Sequence, residues 1–180
     1  MTDEELAVYV RTQDKESYRE LVKRYEVKLM RYARYLLKDR QDAQDIVQAS
    51  FLKAYINLNS FNKKKRFSSW IYRIVHNEAM NALNKRREVL IDEAVWESFA
   101  DQNIKSPEDE FDNKALILRL KESVFQLPIG YREPILLFYY EDKTYGEISD
   151  IMKLPVSTVG TKVSRGRQIL KRIYTKKERQ

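Results

Sequence analysis

No cysteine occurs among the 180 residues, and histidine occurs once, at His76. The first absence excludes disulfides, thiolate zinc sites and cysteine nucleophiles together, and it fits a reducing compartment. The second excludes a metal site built from several imidazoles. Glycine and proline are scarce, four of each, which leaves too little turn chemistry for an all-β fold and favours helices. Long apolar runs are missing as well: "ILLFYY" stops far short of the roughly 20 residues that a membrane span needs. The opening "MTDEELAVYV" is acidic, with no basic segment leading into an apolar core, so no secretory leader is expected. Nor is there a nucleophile–base pair, a cluster of paired carboxylates or a glycine loop to cradle phosphate. These absences predict a cytoplasmic protein without membrane insertion, without a cofactor and without an enzymatic reaction of its own.

What the chain does contain is apolar matter and unevenly placed charge. Hydrophobic residues make up 43% and aromatics 12%, too much for a disordered chain. The formal net charge of +7 suggests a polyanionic partner. Between positions 60 and 87 stand Lys63, Lys64, Lys65, Arg66, Arg73, Lys85, Arg86 and Arg87, with Glu78 the one acid. Between 157 and 180 stand Lys162, Arg165, Arg167, Lys171, Arg172, Lys176, Lys177 and Arg179, with Glu178 the one acid. Residues 88–112 hold nine acids and a single base, Lys105. Two basic blocks parted by an acidic stretch are not the mixed charge of an ordinary solvated surface.

Helical spacing organises the rest. Tyr18, Leu21, Val22, Tyr25, Leu29, Tyr32, Ala33 and Leu36 recur every three or four residues and predict a helix over 16–37. A second follows, with Ala43, Ile46, Val47, Ser50, Phe51, Ala54, Tyr55 and Leu58 on one face. After the polar "NSFNKKKR", Ser68 or Ser69 is expected to cap a third, with Trp70, Ile71, Ile74, Val75, Met80 and Leu83 inward. Residues 88–112 lose the stripe and read as a linker. A helix resumes near Asn113 with Leu116, Leu120, Val124 and Leu127, stops at "LP", and gives way to one that Pro134 can start. The fold class is therefore all-α, with two small helical domains, 1–87 and 113–180, joined by a flexible acidic linker at 88–112.

"TYGEISDIMKLPVSTVGTKVSRGRQILKR" has the outline of a helix-turn-helix. Thr144 can cap its first helix, Leu154 fill the turn and Pro155 open the second helix, with Val156, Val159 and Val163 placed to bury. Ser157, Thr158, Thr161, Lys162, Ser164 and Arg165 remain for the outer side, where hydroxyls and Arg read base edges and Lys holds phosphate. Taken alone the segment fits either a DNA-reading helix or a helical hairpin with a basic, solvated face. It also carries Gly160 and Gly166, each costing about 1 kcal/mol against alanine in a helix interior.

The N-terminal half is more specific. Asp42-Ala43-Gln44-Asp45-Ile46-Val47-Gln48, then Phe51, Ala54 and Tyr55, then Phe67, Trp70, Ile71, Arg73, Ile74 and Asn77 resemble region 2 of bacterial extracytoplasmic-function (ECF) sigma factors. Leu127-Pro128, Arg132, Tyr145, Glu147-Ile148, Leu154-Pro155 and Arg165-Gly166-Arg167 are similar to region 4 of the same family. The two matches come in the family's order and cover nearly the whole chain.

The resemblance implies a subunit that binds core RNA polymerase, recognises promoter DNA at the −10 and −35 elements and helps open the duplex. It assigns core-polymerase binding to Asp42, Asp45 and Gln48 of the second helix. Asn59, Ser60, Phe61 and Asn62 would cradle an extruded −10 base, since stacking surfaces and pockets favour a base leaving the duplex. Lys63, Lys64, Lys65 and Arg66 would hold the strand by its phosphates, with Arg73, Asn77, Asn84 and Arg87 adding contacts from the third helix. Trp70 is expected in the core, and His76 as an ordinary helix residue. The −35 element would be read by Ser157, Thr158, Thr161, Lys162, Ser164 and Arg165, with the backbone approaching at Gly160, where the family commonly places Lys or Arg. Gly166 falls where a small residue permits close helix packing. An anti-sigma factor is an expected partner.

Three positions depart from the pattern. Gln44 and Ala49 stand where acids are usual, and Asn81 where many members carry Asp, so the core-binding face is less acidic than in most of the family. The linker's 25 residues allow an r.m.s. span of roughly 25–30 Å; either a plain spacer or a strand that follows a basic polymerase channel fits its charge. The alternative reading is a helix-turn-helix regulator acting without polymerase, which leaves the N-terminal match unused. A nucleic-acid-modifying enzyme is the other rival, without a carboxylate cluster to support it.

Overall fold

Thr2 opens a helix that the periodicity did not announce. Its hydroxyl accepts from the Glu5 N–H at 3.1 Å while the Glu5 carboxylate accepts from the Thr2 N–H at 2.8 Å, and this reciprocal cap starts α1 (Asp3–Thr12). The structure, a computed structural model, describes residues 1–91 and 123–177. The helix expected over 16–37 appears as a 3-10 turn, Lys15–Ser17, running into α2 (Tyr18–Leu37). Its stripe is buried as the spacing predicts, from Leu21 through Tyr25, Leu29 and Tyr32 to Leu36. Lys38 ends it in the left-handed region at φ 64°, and the Asp39 carboxylate caps α3 (Arg40–Ile56) by accepting from the Asp42 N–H at 2.9 Å.

The third expected helix starts differently from its sequence reading. Neither Ser68 nor Ser69 caps it. α4 (Phe67–Ile91) begins at Phe67, whose N–H donates to the Glu4 carboxylate of α1 at 2.9 Å. A carboxylate from another helix thus does what a local hydroxyl was expected to do, and Ser69 is buried with its hydroxyl unpaired among the described residues. α4 also continues to Ile91, past the boundary expected at 87. Trp70 is half-buried and packs against the core through Phe61 and Phe67, with ring centroids 5.3 and 5.6 Å away.

Most of the acidic stretch 88–112 and the helix start near Asn113 lie outside the described residues. The chain resumes with a helical turn at 123–126, where Val124 and then Leu127 are buried. Pro128, not Pro134, starts the next helix, α5 (Ile129–Tyr139); Pro134 lies inside it. A proline there removes the N–H that would bond the carbonyl of Gly130, four residues back. Lys162 supplies the substitute, donating from Nζ to the Gly130 carbonyl at 3.3 Å. α6 (Tyr145–Met152) carries a reciprocal Thr144–Glu147 cap and ends at Lys153 in the left-handed region, φ 57°. α7 (Val156–Lys177) completes the helix-turn-helix. Val159 and Val163 are buried as expected, but Val156, the first residue of α7, is 51% exposed.

The two halves lie against each other, α5 against α2 and α6 against α4. Their seam is polar. Glu133 and Glu141 of the second half are buried and take their partners from the first. The Tyr32 hydroxyl donates to Glu133, and Nδ1 of His76 lies 2.6 Å from the same carboxylate. Arg31 and Tyr72 donate to Glu141. Buried Arg132 donates to the carbonyls of Tyr35 and Leu36 at 3.3 and 3.2 Å, satisfying acceptors that the C-terminus of α2 leaves open. It also donates twice to the Leu127 carbonyl. Burial pushes its guanidinium below the usual value.

Candidate nucleic-acid interface

Two polar, basic surfaces result, one in each half, and a third face on α3. The loop before α4 is shaped by its own side chains. The Asn62 carboxamide oxygen accepts from the Lys64 N–H at 2.9 Å and the Asn62 carbonyl from the Lys65 N–H at 2.8 Å, a turn that sets successive cations outward. Asn59, Ser60, Asn62, Lys63, Lys64, Lys65 and Arg66 are exposed. Phe61 is not: it is 5% exposed and packs edge-on to Phe67, so it anchors the loop instead of offering a stacking face. A β/extended backbone at Phe61, φ −66° and ψ 123°, turns its side chain inward. Farther along α4, Asn77 and Asn84 are exposed and Arg73 is half-buried; the side chain of Arg87 lies outside the described residues.

The structure draws three of these cations toward the second half. Arg73 donates from Nε to the Asp150 carbonyl at 2.6 Å, Lys65 from Nζ to the Asp150 carboxylate at 3.3 Å, and Arg66 lies 3.6 Å from Glu147. A cleft of about 290 Å³ opens among Ser60, Asn62, Arg66, Trp70, Arg73 and Lys153. Nearby, Lys143 donates to the Ser68 hydroxyl at 3.3 Å and stands 4.6 Å over the Tyr72 ring; burial pushes its ammonium below the ordinary value. His76, read as an ordinary helix residue, is a member of the seam. One histidine in a polar helix gave no sign of that, since its partner Glu133 is 57 residues away.

On α7, Ser157, Thr161 and Arg165 are exposed and Thr158 and Lys162 half-buried. With Tyr131 they surround a concavity of about 330 Å³. Tyr131 was missed from the sequence because it belongs to α5; the Lys162 ammonium stands 5.4 Å from its ring centre. Ser164 is exposed but borders a different groove, with Ile135, Tyr139 and Arg167. A Cβ on Gly160 would stand 3.5 Å from the Tyr145 ring, so position 160 points into the corner between α6 and α7. A Cβ on Gly166 would meet Ile135 at 2.9 Å and the Tyr131 carbonyl at 3.3 Å, the close helix packing expected there.

On α3, Asp45 and Gln48 are exposed, and Asp45 accepts from Gln41 at 3.1 Å. Asp42 is half-buried and held by Arg86 of α4. The same side of the helix carries two side chains the sequence reading did not single out, Leu52 at 61% and Ile56 at 65% exposure. Their signal was available: both are aliphatic and both fall outside the buried stripe.

Comparison with known proteins bears on both halves. The family described as Sigma-70 region 2 matches residues 21–89, and that described as Sigma-70, region 4 matches residues 117–170. The RNA polymerase sigma-H factor of Pseudomonas aeruginosa is 30% identical, covering 93% of this chain and 91% of its own. The ECF RNA polymerase sigma-E factor of Escherichia coli is 32% identical, covering 94% and 93%. ECF sigma factor SigW of Bacillus subtilis is 28% identical, covering 91% of each. In fold, the chain is similar to CnrH in a complex with the cytosolic domain of CnrY, at TM-score 0.71, 23% identity and coverage of 95% and 96%. It is also similar to RpoE in a complex with the anti-sigma factor NepR from Bartonella quintana, at TM-score 0.70, 22% identity and coverage of 88% and 96%.

Proposed function

The chain belongs to the ECF sigma factors of the sigma-70 family, and on that premise we propose how its residues divide the work. It is an alternative sigma factor, a subunit that binds core RNA polymerase, directs it to promoters and promotes DNA opening. Sigma factors are transcription initiation factors; the reaction they start is the polymerase's, and this chain has no reaction of its own. It works in the cytoplasm, where its polymerase and promoters are.

Residues 1–87 bind core polymerase and take the −10 element, residues 88–112 link, and residues 113–180 take the −35 element. Asp42, Asp45 and Gln48 present acid and amide groups to the polymerase. Lys63, Lys64, Lys65 and Arg66 hold the melted strand by its phosphates, with Arg73, Asn77, Asn84 and Arg87 extending that track. Asn59, Ser60 and Asn62 flank the displaced base, and Phe61 supports their loop from beneath. Ser157, Thr158, Thr161, Lys162, Ser164 and Arg165 read the −35 duplex, with Gly160 and Tyr145 fixing how closely α7 approaches. An anti-sigma factor is a further partner of the chain; RpoE, similar in fold, is in complex with one, NepR.

The observation that supports this division is the exposure of one run of cations, Lys63 to Arg66, in a loop, and of Ser157, Thr161 and Arg165 on a separate helix. With reconstituted holoenzyme, Arg165→Ala is expected to weaken initial duplex binding in footprints. Alanines at Lys63–Lys65 are expected to reduce permanganate reactivity of the opened strand more than binding. Equal loss of both steps in both variants overturns the division.

A further inference from the structure

Pro134 does more than interrupt the bonding of α5. It has no N–H to give the Gly130 carbonyl, and a proline ring crowds the carbonyl four residues back. The acceptor it frees is the one that Lys162 of α7 takes, from Nζ at 3.3 Å. The same ammonium stands 5.4 Å from the centre of the Tyr131 ring, within range of attraction to the ring face. A Cβ on Gly130 would be 3.5 Å from it, so the ammonium lies against the first turn of α5.

This restraint sets Lys162 apart from its neighbours around the 330 Å³ concavity. Ser157, Thr161 and Arg165 are exposed, whereas Lys162 is half-buried. The Thr161 hydroxyl donates to the Ser157 carbonyl at 3.0 Å, which spends its one proton and leaves it an acceptor, unsuited to a phosphate oxygen. Lys162 is the reverse. An ammonium has three donors and no acceptor, and the Gly130 carbonyl uses only one of them. An unrestrained lysine gives up rotamer freedom when it meets a phosphate. One already fixed by a carbonyl and a ring has given up most of that freedom on folding. Drawn aside to α5, it suits the sugar–phosphate backbone at the rim of the groove better than base edges at its floor.

We propose that Pro134 and Tyr131 are positioning residues of the −35 contact, which hold the Lys162 ammonium ready for one DNA phosphate. This rests on the −35 assignment above and adds to it a use for the proline inside α5: the carbonyl it frees is where the lysine is held. Lys162 then supplies affinity without sequence preference, and base reading is left to its exposed neighbours.

The test titrates reconstituted holoenzyme with two fluorescent duplexes, from about 50 to about 200 mM salt. One is recovered by selection from a random pool; the other is the same duplex with its −35 stretch scrambled. Lys162→Gln removes the charge but keeps a neutral donor, and circular dichroism melts check its fold. It should weaken both duplexes alike and make log K against log salt shallower by about 0.9, the mark of one phosphate contact. Pro134→Ala and Tyr131→Leu should each weaken both duplexes about three- to tenfold with the slope kept, because the charge remains and only its restraint is lost. Neither should weaken binding further in Lys162→Gln, whereas a purely structural effect would persist there. A loss confined to the selected duplex makes Lys162 a base reader, and a Pro134→Ala effect that survives in Lys162→Gln makes the proline structural only; either overturns the proposal. Where Arg165→Ala weakens the selected duplex but Lys162→Gln leaves the slope unchanged, the anchor alone falls. Where neither variant weakens it, the −35 assignment falls as well.

Discussion

Arg31 of α2 grips Glu141, just beyond α5, with two parallel hydrogen bonds, from Nε at 2.7 Å and from Nη2 at 2.9 Å. Tyr72 adds a third at 2.6 Å. The Glu141 side chain is only 2% exposed, so removing Arg31 from a chain that stayed closed would leave a buried charge at a cost of about 3–5 kcal/mol. The chain has a cheaper response, which is to part its halves and hydrate Glu141. Arg31→Ala is therefore expected to keep its helicity by circular dichroism while a single thermal transition splits into two. One lower transition, with the halves still coupled, contradicts this.

Arg132 acts by geometry as much as by charge. Its fork reaches the Leu127, Tyr35 and Leu36 carbonyls together, which a lysine's single ammonium cannot reproduce. Arg132→Lys should leave buried carbonyls unpaired and lose about 1–3 kcal/mol in urea denaturation. A loss below about 0.5 kcal/mol would show that the ammonium, or water, substitutes fully.

The two glycines of α7 should part company on substitution. At Gly160 a methyl group meets the Tyr145 ring at an ordinary 3.5 Å, so Gly160→Ala is expected to stabilise by about 0.5–1 kcal/mol through helix propensity. At Gly166 the methyl meets Ile135 at 2.9 Å, and Gly166→Ala should destabilise by about 1–3 kcal/mol through overpacking. Paired denaturation curves read the sign directly.

What the sequence revealed and what it hid follow from the range of each interaction. The buried stripes of α2 and α3 were legible because helical periodicity is local, although Tyr55, read on the inward face of α3, is 38% exposed; so was the Thr144 cap, three residues from its partner. The start of α4 was not: its cap, Glu4, sits 63 residues away, and nothing in "RFSSW" points to it. Pro134 was misread for a related reason. A proline normally ends or starts a helix, and the lysine that answers the freed Gly130 carbonyl belongs to another helix. Of the interface, charge and motif gave the cation run and the recognition helix, while Tyr131 and the pairing of Arg73 with Asp150 arise only once the halves are packed.

Glu147 gives the helix-turn-helix a pH response. Burial works to raise its carboxyl, but hydrogen bonds from the Thr144 N–H and hydroxyl, with Lys143 and Arg66 nearby, leave it below the ordinary value of 4.5. A carboxyl depressed in the native state contributes stability above its ordinary value and loses it as pH falls through the native one. Thr144→Ala should thus cost about 1 kcal/mol at neutral pH. The difference from wild type should shrink in urea melts as the pH drops below the ordinary carboxylate range. A difference that grows on acidification contradicts the cap's role.

The outer face of α3 offers the sharpest test of polymerase binding. Leu52 and Ile56 leave most of their apolar surface in water, beside Asp45 and Gln48 and one or two turns farther along the same helix. Exposed aliphatics on an otherwise polar helix face are what a partner helix would cover, and each covered side chain is worth about 1.5–3 kcal/mol. Neither supports the fold, so Leu52→Asp should leave the thermal midpoint of the free chain nearly unchanged. It should weaken binding to core polymerase at least about tenfold in a fluorescence titration, since about 1.4 kcal/mol already gives that factor. Val27→Asp, on exposed α2 surface at 75%, is the matched control for adding a charge. If both variants bind core polymerase as tightly as wild type, the α3 face ends at Gln48 and its apolar extension has no part in docking.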